Sequence, residues 1–278
     1  MTTTADLAPC CVDSHFHVFE VGATVPEARY SPNYVASLST WQSASQAVGV
    51  THGVLVQTSF MGSDNSYLLK HLQQNRDTLR GVAVVAPSAT YQQLTNLHAQ
   101  GVRGIRLNLA GQSHDMREWQ AAKTLWDAVL RLGWHVELHT DTGALPAVLA
   151  AVPLEVPVVM DHFGKPEKAS LQDETVLAVK GRVAAPGSAQ VYVKLSAAYR
   201  LSAEINPKAL VGLWQGELGA QALLWGSDWP CTNYEANADF AALHGALEDW
   251  LGGDAVAVKA ARSDNPMRLY WGYRCMWD

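Results

Sequence analysis

Histidines and carboxylates occur in this chain in short groups that close apolar runs. Asp13-Ser14-His15-Phe16-His17 ends the first such run, and a strand's period of two puts His15 and His17 on one face with Phe16 on the other. Two imidazoles converging on one point suit a metal ion or the carbonyl of a substrate. A buried pair without such a task is costly to satisfy. The run Gly133-Trp134-His135-Val136-Glu137-Leu138-His139-Thr140-Asp141 carries Glu137 and His139 on one parity, with His139 towards its end. Val158-Val159-Met160-Asp161-His162-Phe163-Gly164 sets an acid beside a histidine where Gly164 and Pro166 stop the strand, making His162 a candidate electrophile or ligand. Leu223-Leu224-Trp225-Gly226-Ser227-Asp228 drives an apolar run into one carboxylate, and Asp228 is the foremost candidate. Each residue alone reads equally as a helix cap or a hydrogen-bonded core group. Together they form one constellation only if the strand ends surround a common mouth.

Two arginines add a substrate preference. Arg106, in Gly104-Ile105-Arg106-Leu107-Asn108, shares the parity of Asn108, and Arg200 follows Lys194-Leu195-Ser196-Ala197-Ala198-Tyr199. A guanidinium fork holds a carboxylate through two parallel hydrogen bonds, so both point to a small anionic substrate. Arg103, of opposite parity to Arg106, is expected to face the helices.

The elements that must position these groups alternate regularly. Strand-like runs cover Val12 to Phe19, Thr51 to Ser59, Leu79 to Pro87, Val102 to Leu109, Gly133 to Asp141, Pro157 to Pro166, Val191 to Ala197 and Ala222 to Pro230. Helical periodicity lies between them, as in Arg117 to Leu132 (Trp119, Ala122, Leu125, Trp126, Val129, Leu130) and Ala236 to Leu251. Eight βα units with nearly continuous apolar strands predict a closed (β/α)8 TIM barrel, one domain over residues 1–278. An open doubly wound sheet is the alternative. The long connections Glu20 to Thr40 and Gly111 to Glu118 follow strands one and four and would lie over the mouth.

The totals exclude several classes of function. At 278 residues and 48% hydrophobic the chain can bury a large core. A net charge of −6 argues against a nucleic-acid partner, which requires a basic surface. No window of about 18 apolar residues suggests a membrane span, and Met1-Thr2-Thr3-Thr4-Ala5-Asp6 lacks the features of a signal peptide, so a cytoplasmic protein is expected. Cys10, Cys11, Cys231 and Cys275 show no C-x-x-C spacing and are expected to be reduced, buried thiols, with Cys231 the exception to watch because of its neighbours. The assembly expected is a monomer or a homodimer.

Asp13-Ser14-His15-Phe16-His17, Gly104-Ile105-Arg106-Leu107-Asn108, Asp161-His162-Phe163-Gly164-Lys165-Pro166, Lys194-Leu195-Ser196, Gly226-Ser227-Asp228-Trp229-Pro230 and Asn265-Pro266-Met267-Arg268-Leu269-Tyr270 occur in that order. The set resembles the amidohydrolase-related lactonases, nearest the 2-pyrone-4,6-dicarboxylate lactonase and sugar-lactonase branch. That resemblance implies a hydrolase that opens a small, carboxylate-bearing lactone. Asp228 would be the general base towards water, and His15, His17 and His162 would polarise the carbonyl. Arg106 and Arg200 match positions that hold substrate carboxylates, and Gln57, Ser59, Tyr30 and Asn108 would line the same pocket. Two departures accompany it. A further arginine is expected shortly after the strand-four arginine, where this chain has Leu109-Ala110-Gly111-Gln112-Ser113, so a substrate with fewer carboxylates is an alternative. His139 stands where metal-dependent members have a ligand. One zinc on His15, His17, His139 and Asp228, and metal-free catalysis, are equally compatible with the sequence. The rival enzymatic reading is a metal-dependent decarboxylase of a small aromatic or unsaturated acid, which shares the same histidines and aspartate but is usually longer. A binding protein that keeps the barrel without turnover is the non-enzymatic rival.

Overall fold

Strands without a polar face must be covered on both sides, and a parallel barrel wrapped in helices does this. A computed structural model of the protein describes residues 10–26 and 28–272. Its eight strands are all parallel and lie in sequence order: β1 (Val12–Phe16), β2 (His52–Val56), β3 (Leu79–Ala83), β4 (Val102–Asn108), β5 (His135–His139), β6 (Val158–Met160), β7 (Val191–Leu195) and β8 (Leu223–Trp225). This is the expected (β/α)8 barrel. Val54, Val56, Val82, Val159 and Leu224 fill its interior with Val12, and Tyr270 joins them from the terminal helical segment. The outward residues, such as Leu55, Ile105, Val136 and Leu195, join the larger core under the helices. No helix of the described residues is long and apolar enough to cross a membrane.

The seam between the first and last strands closes beyond the end of β8. His17 N donates to Trp229 O at 2.8 Å, and Asp228 N donates to His15 O at 2.8 Å. The buried Asp13 carboxylate clamps the seam, accepting from Ser227 N (2.8 Å), Ser227 Oγ (2.6 Å) and Trp41 Nε1 (2.9 Å). The β1–β2 register slips by one residue between Asp13 and Phe16. Such a bulge re-aims side chains: Val12 packs inside, while His15 and His17 still meet and Phe16 stacks on Trp41 at 3.9 Å outside.

The strands are shorter than the apolar runs. β6 stops at Met160, and His162 (φ 51°) and Phe163 (φ 59°) turn into the left-handed region, as does Asp228 (φ 56°) beyond β8. Non-glycine residues rarely adopt that conformation, which concentrates at functional sites. The helix expected over Arg117 to Leu132 is broken at Ala122 into Arg117–Ala121 and Lys123–Arg131, and Leu130 is exposed rather than packed. The second expected helix begins later, at Phe240–Trp250. Cys10 and Cys11 are only partly buried, a correction to the expectation, whereas Cys231 is buried; Cys275 lies outside the described residues.

Gly226 has no room for a side chain. A Cβ there would lie 2.7 Å from His15 Cβ and 3.0 Å from His15 N. Gly226→Ala is therefore expected to cost about 1–3 kcal/mol of stability through overpacking, and to displace His15. Thermal melting checks it: an unchanged midpoint would show that the seam can relax.

Candidate active site

Inside the barrel, two cations and two carboxylates balance. Lys194 on β7, fully buried, donates to Glu137 Oε2 at 2.5 Å and to His15 Nδ1 at 3.0 Å, and its Nζ lies 3.4 Å from Asp161 Oδ1. Arg106 Nε donates to Asp161 Oδ2 at 2.9 Å, and Tyr270 OH donates to Glu137 Oε1 at 2.8 Å. Burial would push Glu137 up, but Lys194 overrides it and holds the carboxyl at about 2. Burial acts likewise on Asp161, where Lys194, Arg106 and His15 together hold it well below the carboxylate range.

The partners of the histidines set their tautomers. His17 Nδ1 lies 2.7 Å from the Val56 carbonyl, which only accepts, so this nitrogen carries the proton and Nε2 of the neutral ring is bare. His15 Nδ1 accepts from Lys194, which leaves the proton on Nε2, 3.2 Å from His17 Nε2. Arg106 Nη2 lies 3.3 Å from His139 Nδ1; a guanidinium only donates, so His139 carries its proton on Nε2. His162 Nδ1 bonds Ser196 Oγ at 2.9 Å.

Asp228 stands at the centre. Its Oδ2 accepts from Tyr199 OH at 2.7 Å and from Arg200 Nε at 2.8 Å. Its Oδ1 faces His15 Nε2 and His17 Nε2, each at 3.5 Å, and His162 Nε2 at 3.9 Å. Burial alone would raise the carboxyl; Arg200 and the surrounding histidines hold it well below its usual range instead, so it is a carboxylate at neutral pH.

A pocket of about 320 Å³ opens above these groups. His17, His139, His162, Asp228, Arg106 and Arg200 line it, as do Tyr30, Ser59 and Asn108. Two expected residues do not. His15 is fully buried, one layer beneath His17 and Asp228, and Gln57 gives its amide to the carbonyls of Gly62 (3.2 Å) and Asp64 (2.8 Å). Gln57 has the outward parity of Leu55; Thr58, with the parity of Val54 and Val56, lines the pocket instead. Sequence reasoning also missed Arg29, Asn233 and Tyr199. Lys194, within Lys194-Leu195-Ser196, has the parity of Ser196, which turns it inward. Cys231 lies behind Asp228; burial pushes its thiol up to about 12, so it is no nucleophile at neutral pH. A larger groove of about 590 Å³ between helices, lined by Pro146, Leu149 and Val152, has no such convergence of polar groups.

The amidohydrolase family model matches residues 12–271, nearly the whole chain. The chain belongs to the amidohydrolase family. Relatives of this amidohydrolase include a 2-pyrone-4,6-dicarboxylate hydrolase of Comamonas testosteroni, 30% identical and covering 94% of this chain and 90% of that one. A 4-sulfomuconolactone hydrolase of Rhizobium radiobacter is 27% identical, covering 80% and 76%. The solved structure of a probable 2-pyrone-4,6-dicarboxylic acid hydrolase from Acinetobacter baumannii, with citric acid bound, has a TM-score of 0.82 at 30% identity and covers 95% and 99%. A zinc-bound amidohydrolase from Burkholderia multivorans (TM-score 0.72, 22% identity, 94% and 99%) shares the fold. So does a 5-carboxyvanillate decarboxylase from Sphingomonas paucimobilis, more distantly (0.63, 11%, 95% and 99%).

The buried imidazoles of this amidohydrolase make its stability sensitive to acid. Burial lowers His15 to about 4 and holds His139 and His162 well below their ordinary value. Below about pH 6.5 the unfolded chain takes up protons at these rings that the folded barrel refuses. Stability is therefore complete above that pH and falls as pH drops, by up to about 1.4 kcal/mol per unit for each ring. Urea midpoints measured from pH 7 to 5 check this; a flat profile would mean that the rings titrate normally.

Proposed function

We propose that this protein is a hydrolase that opens the ring of a small, carboxylate-bearing lactone by aspartate-assisted attack of water. The observation that carries the reading is the division of labour within Asp228. Tyr199 and Arg200 occupy Oδ2, while Oδ1 faces the histidines of the pocket without a hydrogen bond as short as these. Oδ1 would take a proton from water as its oxygen attacks the carbonyl carbon. The ring C–O bond then breaks, and the departing oxygen takes that proton back from Asp228.

The charge that develops on the carbonyl oxygen needs donors. His139, with its proton on Nε2, meets that need, and so does His162 when Ser196 donates to its Nδ1; their rings lie 4.7 Å apart. The bare Nε2 of His17 suits a water proton or a cation better than a carbonyl, and His15 would support His17 from below. Arg106 and Arg200 would hold substrate carboxylate, as the similarity to dicarboxylate and sulfomuconolactone hydrolases supports.

A zinc ion fits the same groups. The ligand atoms of His15, His17 and Asp228 lie within 4.8 Å of one another, and the Val56 carbonyl holds His17 in the ligating tautomer. Ligation by His15 through Nε2 requires its other tautomer, in which the ring proton sits on Nδ1 and is donated to Asp161 Oδ1, 3.3 Å away, in place of the bond accepted from Lys194. His139 stands apart from this set. A metal held there would polarise the carbonyl or acidify the attacking water.

The test is turnover of a lactone panel (pyrone dicarboxylate, muconolactones, sugar lactones) before and after chelation. Activity that survives chelation assigns the oxyanion to His139 and His162; activity lost and restored by zinc assigns it to the metal. Release of carbon dioxide without an opened lactone would overturn the reading in favour of a decarboxylase.

A further inference from the structure

Three arginines line the pocket, and two of them already hold protein carboxylates. Arg106 is paired with Asp161, and Arg200 with Asp228. Deeper still, Lys194 is paired with Glu137. Among the described residues no carboxylate lies within ion-pair distance of the third, Arg29. It is the positive charge at the pocket that the described part of the barrel leaves uncompensated.

Arg29 also has a built seat. A Cβ on Gly111 would lie 2.1 Å from Arg29 Nη1, so the guanidinium rests directly against this glycine, whose φ is +65°. The Gly111 N–H is in turn held by both oxygens of Asp141, each at 2.9 Å. The neighbouring residue Tyr30 donates to Glu235 Oε1 at 2.5 Å, tying the loop after β1 to the segment beyond β8. Arg29 is an exposed residue at the mouth, where its guanidinium lies against the loop after β4. Thr58 and Asn108 line the same pocket, and among the described residues their buried Oγ1 and Oδ1 have no hydrogen-bond partner.

We propose that Arg29 is a specificity-determining residue that selects lactones bearing an anionic substituent at the mouth end of the pocket, a second carboxylate or a sulfonate. The charge comes from the loop after β1, and Leu109-Ala110-Gly111-Gln112-Ser113, which lacks an arginine, provides the seat for one. This deepens the lactonase reading and rests on it for turnover, though not for binding.

The experiment compares 2-pyrone-4,6-dicarboxylate with 2-pyrone-6-carboxylate in the unaltered protein, Arg29→Leu and Gly111→Ala. The last displaces the guanidinium while keeping its charge. The ratio of kcat/KM for the two substrates is expected to fall about tenfold in Arg29→Leu, the loss of one charge-assisted contact near solvent. It should fall less in Gly111→Ala, with the change carried by KM. Calorimetric binding of pyridine-2,4-dicarboxylate against pyridine-2-carboxylate reads the same preference without turnover, so failure of the lactonase reading is distinguishable from failure of this one. A ratio that holds within twofold in Arg29→Leu, in kinetics or in binding, would overturn the proposal.

Discussion

Asp228→Asn is expected to lower kcat by about 10²–10⁴-fold, the usual contribution of a positioned general base, while ligand affinity stays within a few-fold. The amide oxygen can still accept from Tyr199 and Arg200, so the anchoring of Oδ2 survives. What is lost is a proton acceptor at Oδ1. The same neighbours that keep Asp228 ionised also make it a weak base, so a substrate carboxylate that draws Arg200 towards itself would raise the basicity of Asp228 at the moment of attack. Steady-state kinetics together with direct binding separate these effects. Turnover within tenfold of the unaltered protein would sink the mechanism.

Lys194→Met is expected to cost about 3–5 kcal/mol, the loss that follows when one partner of a buried ion pair is removed. Glu137 and Asp161 would then share the interior with Arg106, which is paired with Asp161. The pH dependence identifies the cause. In the unaltered protein Glu137 has a depressed pKa, so its stabilisation is present above the unfolded value and is lost as pH falls towards about 2. In the variant, burial without Lys194 raises Glu137 above its unfolded value, and protonation on folding becomes favourable as pH falls. The gap between the two proteins should therefore narrow from pH 7 to 5, and Glu137→Gln in the variant background should recover part of the loss. A gap that is constant with pH and unaffected by Glu137→Gln would mean that Lys194 contributes packing alone.

The barrel was legible because its strands are apolar on both faces and end in single polar residues. The convergence of His15, His17 and His162 on Asp228 was legible from position alone, since residues at the ends of parallel strands gather at one end of the barrel. Gln57 was misjudged against the same rule, because the period of two selects Thr58. The burial of His15 beneath His17 was not legible: it depends on depth along the barrel axis and on a one-residue bulge that leaves no mark in composition. Nor was Arg29, which sits in a loop without periodicity, where its contact with Gly111 is fixed by folding. The break at Ala122 carries no glycine or proline to announce it.

The Asp13 clamp joins residues 214 positions apart. During synthesis, Asp13, His15 and His17 leave the ribosome well before Ser227 and Asp228 and wait without the groups that complete them. A product that stops before Ser227 lacks the clamp, and contacts spanning such a separation form slowly. The same arrangement would make activity a report on the join between β1 and β8. Heat or denaturant that parts the first strand from the last should silence the protein before the remaining βα units unravel.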